Sequence, residues 1–70
     1  MITVGRSYRC RLKVPGLQGT YLNNSTATVT VVDEPNEVGA EYFVSFTTDT
    51  QPNITQIMFA NDFTTAFEEI

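Results

Sequence analysis

Residues 26–48 constrain the fold of this 70-residue chain more than any other stretch. They begin with TATVTVV and end with YFVSFTT, and this alternation of β-branched and aromatic residues predicts two strands that each bury one face. The acidic stretch between them, residues 33–41, contains proline, asparagine and glycine, which interrupt strands. We therefore predict an antiparallel hairpin. Its alternation places Val31 and Tyr42 on the core and leaves Val32 and Phe43 facing outward.

A first strand is predicted at residues 7–14, SYRCRLKV, and its two faces differ in chemistry. Pro15-Gly16 ends it, because proline cannot donate a hydrogen bond to a sheet. One face is apolar and is expected to lie on the core, with Tyr8, Cys10, Leu12 and Val14. The other face is basic and is expected to lie in solvent, with Arg9, Arg11 and Lys13.

Residues 15–25 allow two interpretations, which the sequence leaves open. Asparagine tolerates the left-handed backbone region, so Asn23 and Asn24 can turn a short strand at residues 19–22 directly into the next strand. In the other interpretation, the whole segment is one long irregular loop.

A further strand is predicted at residues 54–60, ITQIMFA, but its buried face is ambiguous. If Ile57 and Phe59 point inward, Ile54 and Met58 point outward, and the opposite choice exposes Ile57 and Phe59. A strand without a clearly polar face is either covered on both sides or part of an interface.

The last ten residues, NDFTTAFEEI, change the period of the apolar pattern. Their spacing is that of one helical face, and Asn61 or Asp62 is a suitable N-cap. Two threonines and the acidic end of the segment oppose a long helix. We favour a short helix or turn. The alternative is one helical turn at residues 62–65 followed by a strand at residues 66–70.

Four or five short strands separated by turn residues predict an all-β chain, or a β-rich chain with one short C-terminal helix or turn. The expected architecture is a small barrel or a curved antiparallel sheet. In outline the sequence resembles the SH3-like barrels of small bacterial and phage proteins. The resemblance lies in Val4-Gly5 before Tyr8, a long first loop, the meander of residues 26–32 and 42–47, and phenylalanines spaced through residues 58–67. It covers most of the chain and implies a binding module.

The length predicts a single domain, residues 1–70, which buries about 60 % of its unfolded surface. No apolar run is long enough for a transmembrane helix, and the N-terminus lacks the apolar core of a signal peptide. The single cysteine is typical of a reducing compartment. We therefore expect a cytoplasmic protein, located in the host cell if a phage encodes it.

The residue types argue against catalysis. Histidine is absent, which removes the commonest general base and metal ligand. Two flanking arginines would lower the pKa of the Cys10 thiol in solvent, but its place on the apolar face predicts a buried core cysteine. The acids of residues 33–41 lack the ligand spacing of a known calcium loop. We expect no enzymatic activity, no metal and no cofactor.

Charge is distributed unevenly along the chain. The four cations lie within the first 13 residues and the eight acids lie from residue 33 onward, for a net charge of −4. The basic face can pair with acids on neighbouring strands, meet an acidic protein surface, or follow a phosphate backbone. Nucleic-acid modules are usually basic overall, so we expect pairing within the chain first, a protein partner second and nucleic acid last.

The leading hypothesis is a non-enzymatic protein-binding module, of the kind phage or mobile-element proteins use to inhibit a host protein. The alternative is a small nucleic-acid-binding barrel that uses the basic strand. A homodimer is also expected, because a short chain with apolar residues on both faces of a strand gains buried surface by pairing. The candidate binding residues are Arg9, Arg11, Lys13, Val32, Phe43 and Met58.

Overall fold

The computed structural model describes residues 2–33 and 41–70. Its elements are β1 (Ser7–Cys10), a 3₁₀ helix (Leu17–Gly19), β2 (Thr26–Asp33), β3 (Phe43–Thr48), β4 (Gln56–Phe59), α1 (Ala60–Ala66) and β5 (Phe67–Glu69). The five strands form one antiparallel sheet in the order β4-β3-β2-β1-β5. The predicted fold class, a β-rich chain with an antiparallel sheet of four or five strands and one short C-terminal helix, is confirmed.

The predicted hairpin forms from β2 and β3, but a bulge changes which side chains it buries. The register shifts between Val29 and Val31. An extra residue in one strand moves every later side chain to the other face. Val31 is therefore exposed, and Val32 is half-buried against the core. The prediction that Val32 faces outward is wrong, whereas Phe43 is exposed as predicted. Tyr42, predicted on the core, precedes β3 and is exposed.

β1 is shorter than predicted, because the chain leaves the sheet after Cys10. Tyr8 and Cys10 are buried, as their alternation indicates. Leu12 is 45 % exposed, so the prediction that it lies on the core is wrong. Leu22, from the following loop, is buried in the core and donates its backbone N–H to the carbonyl of Val14 at 2.9 Å.

Residues 15–25 follow the loop interpretation. The segment contains the 3₁₀ turn and a single bridge between Pro15 and Tyr21, and it has no strand at residues 19–22. Asn24 adopts the left-handed conformation with φ 66°, which asparagine tolerates. The turn into β2 is therefore made as expected, although no strand precedes it.

β4 begins at Gln56, and its side chain settles the ambiguous face. Gln56 is only 2 % exposed and Met58 is half-buried, so Ile57 and Phe59 lie on the exposed face, at 60 % and 41 %. This is one of the two arrangements that the sequence left open, and the apolar pattern did not select it because the most deeply buried residue of this strand is polar.

The C-terminal segment is a two-turn helix followed by a short strand. α1 packs Phe63 and Ala66 into the core, and Phe67 then pairs with Cys10 at the start of β5. The alternative of helix followed by strand is thus confirmed in outline. The predicted caps are wrong, because Phe59 holds the N-cap position without a side-chain hydrogen bond.

An aromatic cluster joins α1 to the sheet. The Phe63 ring stacks on Phe67 with centroids 4.4 Å apart, and it meets Phe46 and Tyr8 edge-on at 5.2 and 5.3 Å. Such pairs each contribute about 0.5–1.5 kcal/mol beyond their buried area. Within residues 2–33 and 41–70, no helix is long and apolar enough to cross a membrane.

Candidate functional site

An open groove of about 460 Å³ runs beside β4. Its walls are β4, α1 and the segment that follows β1. We call it the β4 seam, and its main apolar lining residues are Leu12, Val14, Phe43, Ile57, Met58 and Phe59.

The β4 seam follows the edge of the strand. Ile57, Met58 and Phe59 are consecutive, and all three line the groove. Successive side chains of a strand point to opposite faces, so a groove that all three line reaches the strand's edge, and Phe43 shows that it also extends over the outer face. β4 is the last strand in the order of the described sheet, which leaves that edge without a neighbouring strand from the described residues.

Backbone groups of β4 also point into the seam. Ala60 donates its N–H to the carbonyl of Tyr42 at 2.9 Å, on the side where β3 lies. In an antiparallel ladder, alternate residues bond to the same neighbouring strand. Met58 therefore bonds toward β3, and the N–H and C=O of Ile57 face the seam. An edge of this kind is a template for pairing with another chain.

The outer face of the sheet continues the apolar surface. Val31, Ser45 and Ile57 lie side by side across β2, β3 and β4. The next row contains Phe43 and Phe59, whose ring centroids are 4.8 Å apart at an interplanar angle of 32°. Because of the bulge in β2, Val31 extends this surface with a side chain that is 51 % exposed.

The end of the seam near α1 is acidic. Asp62 lines the groove, and Asp33 is the register partner of Phe43. Next to Asp62, Asn61 donates a hydrogen bond from its Nδ2 to Glu41 at 3.3 Å. Asp62 therefore contributes one carboxylate to the lining of a mainly apolar groove, and Asp33 and Glu41 adjoin lining residues, which favours a ligand that brings a positive charge.

The predicted basic face is not one surface. β1 ends at Cys10, so Arg11 and Lys13 do not continue the strand. Arg11 forms an exposed ion pair with Glu68, and the Nζ of Lys13 lies 4.6 Å from the centre of the Tyr21 ring. Arg9 is half-buried, and its Nε has no hydrogen-bond partner among the described residues. A stripe of three evenly spaced cations is therefore wrong, and the pairing of Arg11 with an acid of a neighbouring strand is confirmed.

Two of the six predicted binding residues, Phe43 and Met58, line the seam. Val32 does not, because the bulge turns it toward the core. Leu12 and Asp62 also line the groove, and no local pattern in the sequence marked them as binding residues. Ile57 and Phe59 carried a usable signal, since their strand lacked a polar face.

Cys10 is buried, as predicted. Burial raises the pKa of its thiol above the ordinary value. Its Sγ lies 3.1 Å from the carbonyl oxygen of Leu12, to which the S–H can donate. In the part of the chain that the structure describes, no group of three or more cysteine or acidic side chains is placed to hold a metal ion.

Comparison of the chain with protein-family models, curated proteins and solved structures found no match. The function is therefore inferred from the shape, exposure and charge of the seam.

Proposed function

We propose that this chain is a non-enzymatic protein-binding module that holds an apolar, cation-bearing segment of another protein in the β4 seam. The observation that carries the proposal is the convergence of three large exposed side chains, Phe43, Ile57 and Phe59, on one groove. Burying apolar surface contributes about 25 cal/mol per Å², and exposed apolar patches of small proteins are commonly interaction sites.

Charge supports a basic protein segment over a nucleic acid. The net charge is −4, and the charged residue that lines the seam is Asp62. The Nε of Arg6 lies 3.9 Å from Oε2 of Glu69, and Arg11 forms an ion pair with Glu68. A phosphate backbone would have to compete with these internal contacts, whereas a lysine or arginine of a partner would meet the Asp62 carboxylate in the groove.

Inhibition of a host protein is the specific form of this proposal, with the module in the cytoplasm and its seam covering part of the target. A small domain can inhibit without catalysis by occupying a surface that the target needs. A second copy of the chain would compete for the same apolar surface, so a homodimer is the alternative to a complex with another protein.

Affinity purification from the native cell tests the proposal. The tagged protein is used with and without nuclease, beside Ile57→Asp and the matched control Ile70→Asp, whose side chain is 72 % exposed outside the seam lining. We expect one identified protein to bind the parent and Ile70→Asp, to resist nuclease, and to be lost with Ile57→Asp. The captured protein is then rebound in purified form.

The two alternatives give different results in this experiment. Capture that nuclease abolishes would replace the proposal with nucleic-acid binding. A protein partner that binds Ile57→Asp as well as the parent would place the contact outside the seam. Both substitutions are at exposed positions, so the fold should tolerate them.

A further inference from the structure

We infer that the β4 seam takes its partner by strand addition: an extended segment of the partner protein pairs its backbone with the outer edge of β4 as an additional strand. The inference rests on the proposed function and specifies how the partner is held. In strand addition, main-chain hydrogen bonds supply affinity and alternate side chains supply specificity.

The two edges of the described sheet differ in a way that supports this. β5, at one edge, carries Glu68 and Glu69, and charged residues are a usual protection against unwanted pairing. β4, at the other edge, reads QIMF and has no charge, no proline and no register shift against β3. The unprotected edge is the one along which the groove runs.

The side chains beside this edge define the segment that fits. An added strand would place alternate side chains on the outer face, beside Ile57 and Phe59, and in the groove, beside Met58 and Ala66. Both environments are apolar. β4 has four residues, so the matching run is about as long, at roughly 3.3 Å per residue. The partner segment is therefore a short run of apolar, β-branched or aromatic residues.

The acidic end of the seam adds one requirement and argues against self-pairing. A lysine or arginine at one end of the added strand would lie near Asp62 and Glu41. In a second copy of this chain, two of the four cations already have internal contacts, because Arg11 pairs with Glu68 and Lys13 lies on the Tyr21 ring. A second copy is therefore a poor source of the positive charge. Two copies would also each bring a net charge of −4.

Selection of short random peptides against the folded full-length protein tests the inference. We expect the enriched peptides to carry an apolar run bounded by lysine or arginine. With the best peptide bound, hydrogen exchange of the Ile57 amide, followed by NMR, should slow at least about tenfold. N-methylation of alternate peptide amides should weaken binding at least about tenfold, because it removes backbone donors and keeps charge and apolarity.

A backbone variant provides the matched control. Ile57→Pro removes the N–H that faces the seam at a position where an edge strand tolerates proline, and it should abolish peptide binding. Ile57→Val keeps the N–H and should bind like the parent. Circular dichroism establishes that both variants fold, and the N-methylated peptide supplies the same test on the parent protein if Ile57→Pro does not.

Each contrary result has a defined meaning. Peptides that bind without slowing exchange at Ile57 would overturn strand addition, while loss of the cellular partner with Ile57→Asp would still support the proposed function. A selection that enriches no peptide, or only acidic ones, would also overturn it. Without peptide, exchange of the Ile57 amide could become slower as the protein concentration rises. That result, together with a dimer in sedimentation, would assign the edge to a second copy of the chain.

Discussion

The side chain of Gln56 accepts a hydrogen bond from the backbone N–H of Leu17 at 2.8 Å and so joins β4 to a loop 39 residues earlier in the chain. Gln56 is 2 % exposed, and its Nε2 lies 3.4 Å from the Oε1 of Gln51. The bond holds the long loop beside β4. The shape of the seam therefore depends on the buried side-chain amide of Gln56, the first residue of β4.

Replacing Gln56 by leucine should destabilise the protein by about 1–3 kcal/mol, because the Leu17 N–H loses its acceptor in a partly buried site. Chemical denaturation measures the change in the free energy of unfolding. Gln51→Leu is the matched control, because it loses only the long 3.4 Å contact and should cost less than about 1 kcal/mol. Equal losses for the two variants would show that the bond to Leu17 has no special weight.

Gly16→Ala should also be costly, by about 1–3 kcal/mol, because the new Cβ would lie 2.7 Å from Cδ2 of the buried Leu22. Gly19→Asn is the comparison: φ is 75° there, which asparagine tolerates, and no atom lies within 4 Å of an added Cβ. Thermal unfolding should show a clearly larger drop for Gly16→Ala. A melting temperature equal to that of the parent would mean that the loop packs less tightly against Leu22.

The buried thiol of Cys10 should make stability depend on alkaline pH. Burial raises its pKa in the folded state above the unfolded value of about 8.5. The stabilising contribution is therefore complete below about pH 8.5 and is lost as the pH rises through the folded-state pKa. Urea unfolding at several pH values should show a smaller decline above this point for Cys10→Ala than for the parent. An identical decline in both proteins would assign it to other groups.

The same burial predicts slow chemistry at Cys10. A thiol reagent should modify the native protein much more slowly than the denatured one, because the sulfur becomes accessible only when the structure opens. Reaction as fast as that of a free thiol would contradict a core position.

Cys10→Ser should destabilise the fold, because it buries a hydroxyl where a weakly polar sulfur fits.

Nucleic acid should not bind tightly, because the cations do not form a continuous basic surface. Fluorescence anisotropy with duplex and single-stranded DNA should give no sub-micromolar affinity at about 150 mM salt. Sub-micromolar affinity would support the nucleic-acid alternative if the logarithm of the binding constant fell linearly with the logarithm of the salt concentration. The expected slope is about −0.9 for each contacted phosphate. The decisive control is a folded variant with Arg9, Arg11 and Lys13 changed to glutamate, which would then lose binding.

Local periodicity in the amino-acid sequence predicted the regular elements of the fold. The period of two in residues 26–48 predicted the β2–β3 hairpin, and the alternation through Tyr8 and Cys10 predicted which side of β1 is buried. The change of period after residue 60 marked the helix. These predictions succeed because strands and helices impose their own spacing on the apolar residues of one face.

The positions at which these patterns are interrupted depend on contacts between distant parts of the chain. A bulge in β2 turned Val32 inward and Val31 outward, and the exit of the chain after Cys10 put Leu12 on the seam. Gln56 is buried because a loop distant in sequence supplies its hydrogen-bond donor. Bulges, strand ends and satisfied buried amides depend on partners far along the chain, which local periodicity does not record. The seam arises from these interruptions, so the candidate site became visible only once the strands were assembled.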